Sequence, residues 1–364
     1  MKIQDITSLL ENTAPLSLQE DYDNAGLLTG KLSWECTGVL VSLDATEEIV
    51  EEAIEKKCNL IIAHHPIVFK GLKKITGKNY VEQTIISAIK NDIAIYAIHT
   101  NLDNIISGVN GKIADLLGLK NRRILSPKSE LLKKLAVFVP VAGKEKLLDA
   151  LFAAGAGNIG NYSECSFSTA GSGSFKAGMD TNPYVGNRGE RHFEEEVKVE
   201  VIFPMWLQGQ VLQAMRSVHP YEEIAYDIYG LNNIYEQTGS GIIGELESSI
   251  EESELLDQLK RIFKIPVIRH TAFTGKVVKK VAICGGAGSF LTQAARLAGA
   301  DIYITADVKY HEFFDAEGQL LLADIGHFES EQFTIDLLFD IIQKKFPKFA
   351  VLKTGRNTNP VKYF

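Results

Sequence analysis

Three short, unbroken apolar runs fall within the first hundred residues: Gly38 to Leu43 (GVLVSL), Asn59 to Ala63 (NLIIA) and Asp92 to Ile98 (DIAIYAI). None alternates polar and apolar positions, as a strand with one wet face would. They suit strands buried on both faces of a parallel sheet. Helical patterns separate them, at Thr46 to Lys57 and at Val81 to Lys90. Strand and helix in alternation predict a doubly wound α/β layer.

The last 90 or so residues repeat the theme. Lys279 to Cys284 reads as a strand, followed by a glycine-rich turn and a helix from Phe290 to Ala298. Asp301 to Thr305, Gln319 to Ala323 and Phe349 to Leu352 read as further strands, with an amphipathic helix from about Ser330 to Lys345. The middle differs. Strand-like segments (LAVFVPV, VKVEVIFP) flank helices at Lys144 to Ala154 and Leu207 to Val218, around a Gly/Ser/Asn-rich loop from Ser166 to Gly189. Two such halves predict a small ferredoxin-like α+β domain. The expected fold class is therefore α/β, with two similar α/β lobes forming one body and an inserted ferredoxin-like domain. The expected boundaries are 1–126, 127–235 and 236–364, and 364 residues are indeed too many for one ordinary core.

Composition narrows the function. No apolar run approaches the roughly 20 residues that cross a bilayer, and the first residues lack a signal-peptide pattern. Cys36, Cys58, Cys165 and Cys284 are scattered without a CxxC pair, which favours neither a disulfide framework nor a thiolate metal site. A cytoplasmic location is the default expectation. The net charge of -8 argues against a nucleic-acid groove, which needs a concentrated basic face.

The chemistry gathers where the strands stop. Ile61-Ile62-Ala63 runs straight into His64-His65-Pro66, and a proline cannot extend a central strand. In open α/β sheets ligands bind off the carboxyl ends of strands. A lone histidine there is most simply a polar turn residue, but an adjacent pair favours a metal. The next strand ends in His99-Thr100-Asn101-Leu102-Asp103, where Asp103 on its own would read as a cap or turn. Near the end of the chain, Gln319 to Ala323 leads into Asp324-Ile325-Gly326-His327-Phe328-Glu329-Ser330-Glu331. His327 and Glu331 share one helical face, as metal ligands or as a plain i,i+4 pair. The set His64, His65, Asp103, His327 and Glu331 is nitrogen and carboxylate without sulfur, which suits Zn, Fe, Mn or Ni. Five ligands exceed the three a single catalytic zinc takes, so the count favours two divalent ions sharing a carboxylate.

These segments resemble the Nif-three-like family, also called the GTP cyclohydrolase I type 2 family, of dinuclear metal proteins. The similar stretches are Tyr22-Asp23-Asn24-Ala25-Gly26-Leu27, Ala63 to Pro66, His99 to Asp103, Thr305 to His311 and Gly326 to Glu331, in the family's order. Thr305-Ala306-Asp307 departs from it, because a glycine is expected before the aspartate. The resemblance implies two α/β lobes around a two-metal site with those five ligands, Glu331 bridging. It also implies a ring-shaped homohexamer whose sites face an interior cavity. Asn158 to Tyr162 and His219-Pro220-Tyr221-Glu222-Glu223 are similar to the CutA-like or PII-like insert of longer members.

Other motifs are less specific. Cys284-Gly285-Gly286-Ala287-Gly288-Ser289 is either a phosphate cradle or close strand–helix packing, and no complete GxGxxG or P-loop accompanies it. Asp307 and His311 read as a substrate contact, a support for the metal site or a helix cap. His219 reads as structural, and His192 and His270 as surface residues. The function expected first is metal-dependent hydrolysis of a nucleotide or other phosphate-bearing small molecule, with His99 as general acid or base. The family label points to the imidazole ring carbon of GTP, and phosphoester hydrolysis fits the same metals. A non-catalytic metal-dependent binding or regulatory ring, with the PII-like domain as its interaction module, is the alternative. A scaffold held together by its metals is the third reading.

Overall fold

The computed structural model describes all 364 residues. The chain forms two compact units, one built from Met1–Pro127 with Glu236–Phe364 and the other from Lys128–Tyr235. In chain order the first unit begins with β1 (Gly26–Thr29), β2 (Val39–Ser42), β3 (Leu60–Ala63), β4 (Ala94–Ala97) and β5 (Lys120–Lys128). The second unit holds β6 (Leu132–Pro140), β7 (Phe167–Lys176), β8 (Arg191–Pro204) and β9 (Tyr226–Leu231). The first unit resumes with β10 (Tyr235–Glu251), β11 (Arg269–His270), β12 (Val277–Ala287), β13 (Ile302–Ala306), β14 (Leu321–Asp324) and β15 (Val351–Lys353).

The apolar runs become strands whose residues are all buried: β2, β3 and β4 have no exposed position. Helices Glu47–Glu55 and Tyr80–Lys90 supply the apolar face opposite them, with Ile49, Val50, Ala53, Ile85 and Ala88 packed on Leu40, Ile61 and Ile95. The side chains of Thr46 and Asn79 cap these helices by accepting from the amides of Ile49 and Glu82. This first sheet runs β1-β4-β3-β2-β15. Its central strands are parallel, and their register sets Ser42, Ala63 and Ala97 side by side. Three chain segments therefore leave the sheet at one edge.

A second sheet runs β11-β14-β13-β12-β10-β5, with β12, β13 and β14 parallel and Thr305 level with Asp324. Its core joins Ala282, Tyr303 and Leu322 to Leu291, Ala295 and Val308. The strand expected near Phe349 forms at Val351–Lys353, yet it pairs with β2 in the first sheet. The strand from the end of the chain thus covers an edge that β2 would otherwise leave open.

In the unit Lys128–Tyr235 the order is β7-β8-β6-β9 with antiparallel neighbours, and helices Lys144–Ala153 and Gln208–Val218 pack on the sheet. The glycine-rich stretch read as a loop contains β7, which pairs with β8 along ten residue positions. Its alternation of small residues hides the strand, because partner pairing supplies what side-chain propensity does not. The helix expected over Ser330 to Lys345 is two helices, His327–Glu331 and Thr334–Lys345.

Candidate metal centre

Both sheets deliver polar residues to one place. His64 and His65 continue β3, their amides still hydrogen-bonded to the carbonyls of Ser42 and Leu43. His99 follows β4 and opens the short helix Thr100–Asp103, which brings Asp103 round. From the second sheet, Gly326 ends the turn after β14 and starts the helix that carries His327 and Glu331. Asn110 ties the halves, since its side chain donates to the Asp103 carbonyl and accepts from the Gly285 amide.

Four histidines are gripped in the same way. His64 Nδ1 donates to the Ile98 carbonyl at 2.8 Å, His65 Nδ1 to Asp44 at 2.8 Å, His327 Nδ1 to Asp307 at 2.7 Å and His99 Nδ1 to Asp23 at 2.8 Å. A carbonyl or carboxylate only accepts, so each Nδ1 carries the proton and each Nε2 is the ligand-type nitrogen. His65 Nε2 lies 2.9 Å and His327 Nε2 3.2 Å from Glu331 Oε2, and the two nitrogens stand 3.4 Å apart. His64 Nε2 lies 3.6 Å from Asp103 Oδ1 and 3.8 Å from Glu331 Oε1.

Those last two separations exceed a hydrogen bond. His64 is fully buried at 0% exposure, and both its Nε2 and Asp103 Oδ1 lack any hydrogen-bond partner. Buried polar atoms rarely go unpaired. Two donors on one tetrahedral ion, at bond lengths of about 2.0–2.2 Å, stand about 3.3–3.6 Å apart. The 3.6 Å between His64 Nε2 and Asp103 Oδ1 and the 3.4 Å between the His65 and His327 nitrogens fall in that range, and His65, His327 and Glu331 together could hold a metal ion. The donors are nitrogen and oxygen throughout. Cys284 is close enough to feel Asp103 and Glu331, but burial first and those charges second push its thiol up to about 12, so it stays protonated.

Charge is arranged accordingly. Burial would raise the Glu331 carboxyl, but the imidazoles of His327, His64 and His65 outweigh it and hold the group well below its usual range. Burial and then the Glu331 charge push Asp103 well above the carboxylate range. Burial also lowers His64, which stays neutral. For His65 burial is overcome by Asp44 and Glu331, which raise it to about 9, and for His327 by Asp307 and Glu331, which raise it to about 11. Without an ion the site is thus a carboxylate flanked by two imidazolium rings.

The sequence profile of the family described as Duf34/NIF3 (NGG1p interacting factor 3) matches residues 1–360. The chain belongs to the DUF34/NIF3 family. A protein of Halalkalibacterium halodurans named GTP cyclohydrolase 1 type 2 homolog is 43% identical over 327 residues, 89% of this chain and 88% of its own length. A Staphylococcus epidermidis protein of the same name is 36% identical over 372 residues, with both chains fully covered. Among solved structures, a Bacillus cereus protein related to NIF3 is 38% identical with a TM-score of 0.86, over 100% of this chain and 99% of that one.

In this DUF34/NIF3 protein the residues singled out by spacing meet at the site: His64, His65, Asp103, His327 and Glu331, with His99 beside them. One ring nitrogen each of His64, His65 and His99 lies within 4.8 Å of the other two. His311 does not join them; it is exposed and packs on Tyr310 and Phe314, while Asp307 turns to His327. His219 bonds the Phe138 carbonyl within its own unit, and His192 pairs with Glu194 along β8. The glycine loop packs closely against the helix that carries Glu331. The Gly285 and Gly286 amides are bonded to Asn110 and to Ser330 Oγ, and a Cβ on Gly286 would meet Glu331 Oε1 at 2.2 Å. Asp44 was not foreseen, although it stands just past the apolar run of β2 as His64 and His65 stand past β3. No helix is long and apolar enough to cross a membrane.

Proposed function

We propose that this protein is a two-metal hydrolase acting on a nucleotide or another phosphate-bearing small molecule. The observation carrying the reading is that two donor sets share Glu331, His64 with Asp103 on one side and His65 with His327 on the other. We assign one divalent ion to each set, drawn from Zn, Fe, Mn or Ni by donor type, with Glu331 bridging. Ions held there would supply Lewis acidity and would acidify a water for attack on a phosphoryl group or a ring carbon.

The chain's own residues would position and move protons. His99 has its Nδ1–H fixed on Asp23, leaving Nε2 to take a proton from the attacking water and return it to the leaving group. Burial works against the Asp23 charge, but His99 and Thr100 override it and lower the carboxyl to about 2, so this support stays ionised. The Phe69 ring stands edge-on to His99, with the ring centroids 5.6 Å apart. The name of the relatives, GTP cyclohydrolase 1 type 2 homolog, favours GTP as the first substrate to try.

The test is incubation of metal-loaded protein with GTP and a panel of nucleotide and sugar phosphates, with products separated chromatographically. The proposal expects turnover that falls about 100- to 10,000-fold in His99→Gln while metal content holds. Saturable thermal stabilisation with no product from any compound would instead favour a metal-dependent regulatory ring. That second reading draws support from the unit Lys128–Tyr235, whose βαββαβ order and β7-β8-β6-β9 sheet we read as a ferredoxin-like, CutA-like or PII-like interaction domain inserted between two α/β lobes.

We further read the protein as a cytoplasmic homohexamer. Exposed Phe290 and Leu297, and exposed Tyr310 and Phe314 on the adjoining segment, supply apolar surface for contact between copies. Light scattering should return six times the 40.2 kDa chain mass.

A further inference from the structure

Beyond β15 the chain does not trail away. The Thr354 hydroxyl donates to Glu52, and the Gly355 amide donates to the same carboxylate at 2.8 Å. The Asn359 amide folds back onto the Asn357 side chain at 2.9 Å, and the Val361 amide onto that of Asn359 at 2.9 Å. Between these turns, two consecutive residues reach the two sheets. The Thr358 hydroxyl donates to Asp44 Oδ2, just past β2. Asn359 Nδ2 donates to Glu329 Oε1 at 2.9 Å, in the helical turn that carries His327 and Glu331.

Asp44 is the link that matters. Its other oxygen accepts the His65 Nδ1 proton at 2.8 Å, and His65 Nε2 faces Glu331 at 2.9 Å. A bond on each carboxylate oxygen fixes the plane of the Asp44 group, and that plane fixes the imidazole. We propose that the turn carrying Thr358 and Asn359 is a strap that shapes the metal site, with Thr358 a positioning residue acting on His65 through Asp44. The inference rests on reading the site as metal-binding, and it is independent of any catalysed reaction. Partners behind a metal-ligating histidine set ring orientation and ligand basicity, and losing one typically weakens metal binding about 10- to 100-fold.

The experiment is titration of Zn2+ against a chromophoric chelator for the wild-type chain, Thr358→Val, Thr358→Ser and Thr354→Val. Valine keeps the threonine shape without the donor, and folding is checked by circular dichroism. Thr358→Val should weaken one bound Zn2+ about 10- to 100-fold, and Thr358→Ser should restore it. Thr354→Val, which removes a hydrogen bond to Glu52 outside that turn, should leave Zn2+ binding at the wild-type level. Unchanged binding in Thr358→Val, or equal losses in all three variants, would overturn the inference alone. A wild-type chain that takes up no Zn2+ would overturn the metal reading and the strap with it.

Discussion

Glu331 is 3% exposed and faces three imidazoles, so its charge is what lets His64, His65 and His327 stand within a few ångströms of one another. Glu331→Gln removes that charge while keeping the shape, and it should lower metal affinity by at least about 100-fold, measured by metal content after gel filtration. The pH dependence has a definite sign. His65 and His327 are raised to about 9 and about 11 without an ion, so near neutrality both carry a proton on Nε2 that an ion must displace. Apparent affinity should therefore rise with pH, by roughly tenfold per pH unit for each proton displaced, from about pH 7 up to 9. Calorimetry in buffers of different ionisation enthalpy should detect the released protons. In metal-stripped protein the same shifts stabilise the fold most below the ordinary histidine pKa, and that contribution fades as pH climbs through 9. Much of this was legible, because a histidine breaking out of an apolar run is conspicuous. Asp44 and Asp307 were harder to see, since an aspartate after a strand usually caps a turn. Thr358 was beyond reach, for its contact with Asp44 spans 314 residues.

At the scale of elements, the loop after β12 shows how backbone shape serves the site. Gly286 takes φ +64°, a left-handed value, and its missing Cβ leaves the space that Glu331 fills. Gly286→Ala should cost about 1–3 kcal/mol in urea unfolding and weaken metal binding in parallel, because both the backbone and the carboxylate must shift. Normal metal uptake in a destabilised Gly286→Ala protein would show that the glycine serves packing without serving the site. The run CGGAGS could not by itself distinguish this from a phosphate cradle, since both need glycines between a strand and a helix. The position of β15 was hidden for a related reason. Phe349 to Leu352 read as a strand from their pattern, but nothing local says that β2 is the partner of the strand they enter. Parallel registers such as Ser42 beside Ala63 and Ala97 likewise emerge only from the folded sheet.

At the scale of the molecule, residues 1–127 and 236–364 form one compact unit, and each contributes candidate ligands that the other lacks. Bound ions would therefore tie distant parts of the chain to each other. Chelation should lower the melting temperature and restored Zn2+ should raise it again, with a gain that grows with free metal and reaches about 4 kcal/mol at a thousandfold excess over Kd. The alternation of strand and helix made the fold class legible, whereas strand order set which ends would meet and stayed invisible until the sheets were seen. The central claim is that two ions share Glu331, and metal stoichiometry tests it most directly. Elemental analysis of protein loaded with Zn2+ and freed of excess should give two ions per chain, falling in Glu331→Gln. Zero or one ion per chain in the wild-type protein would contradict the account.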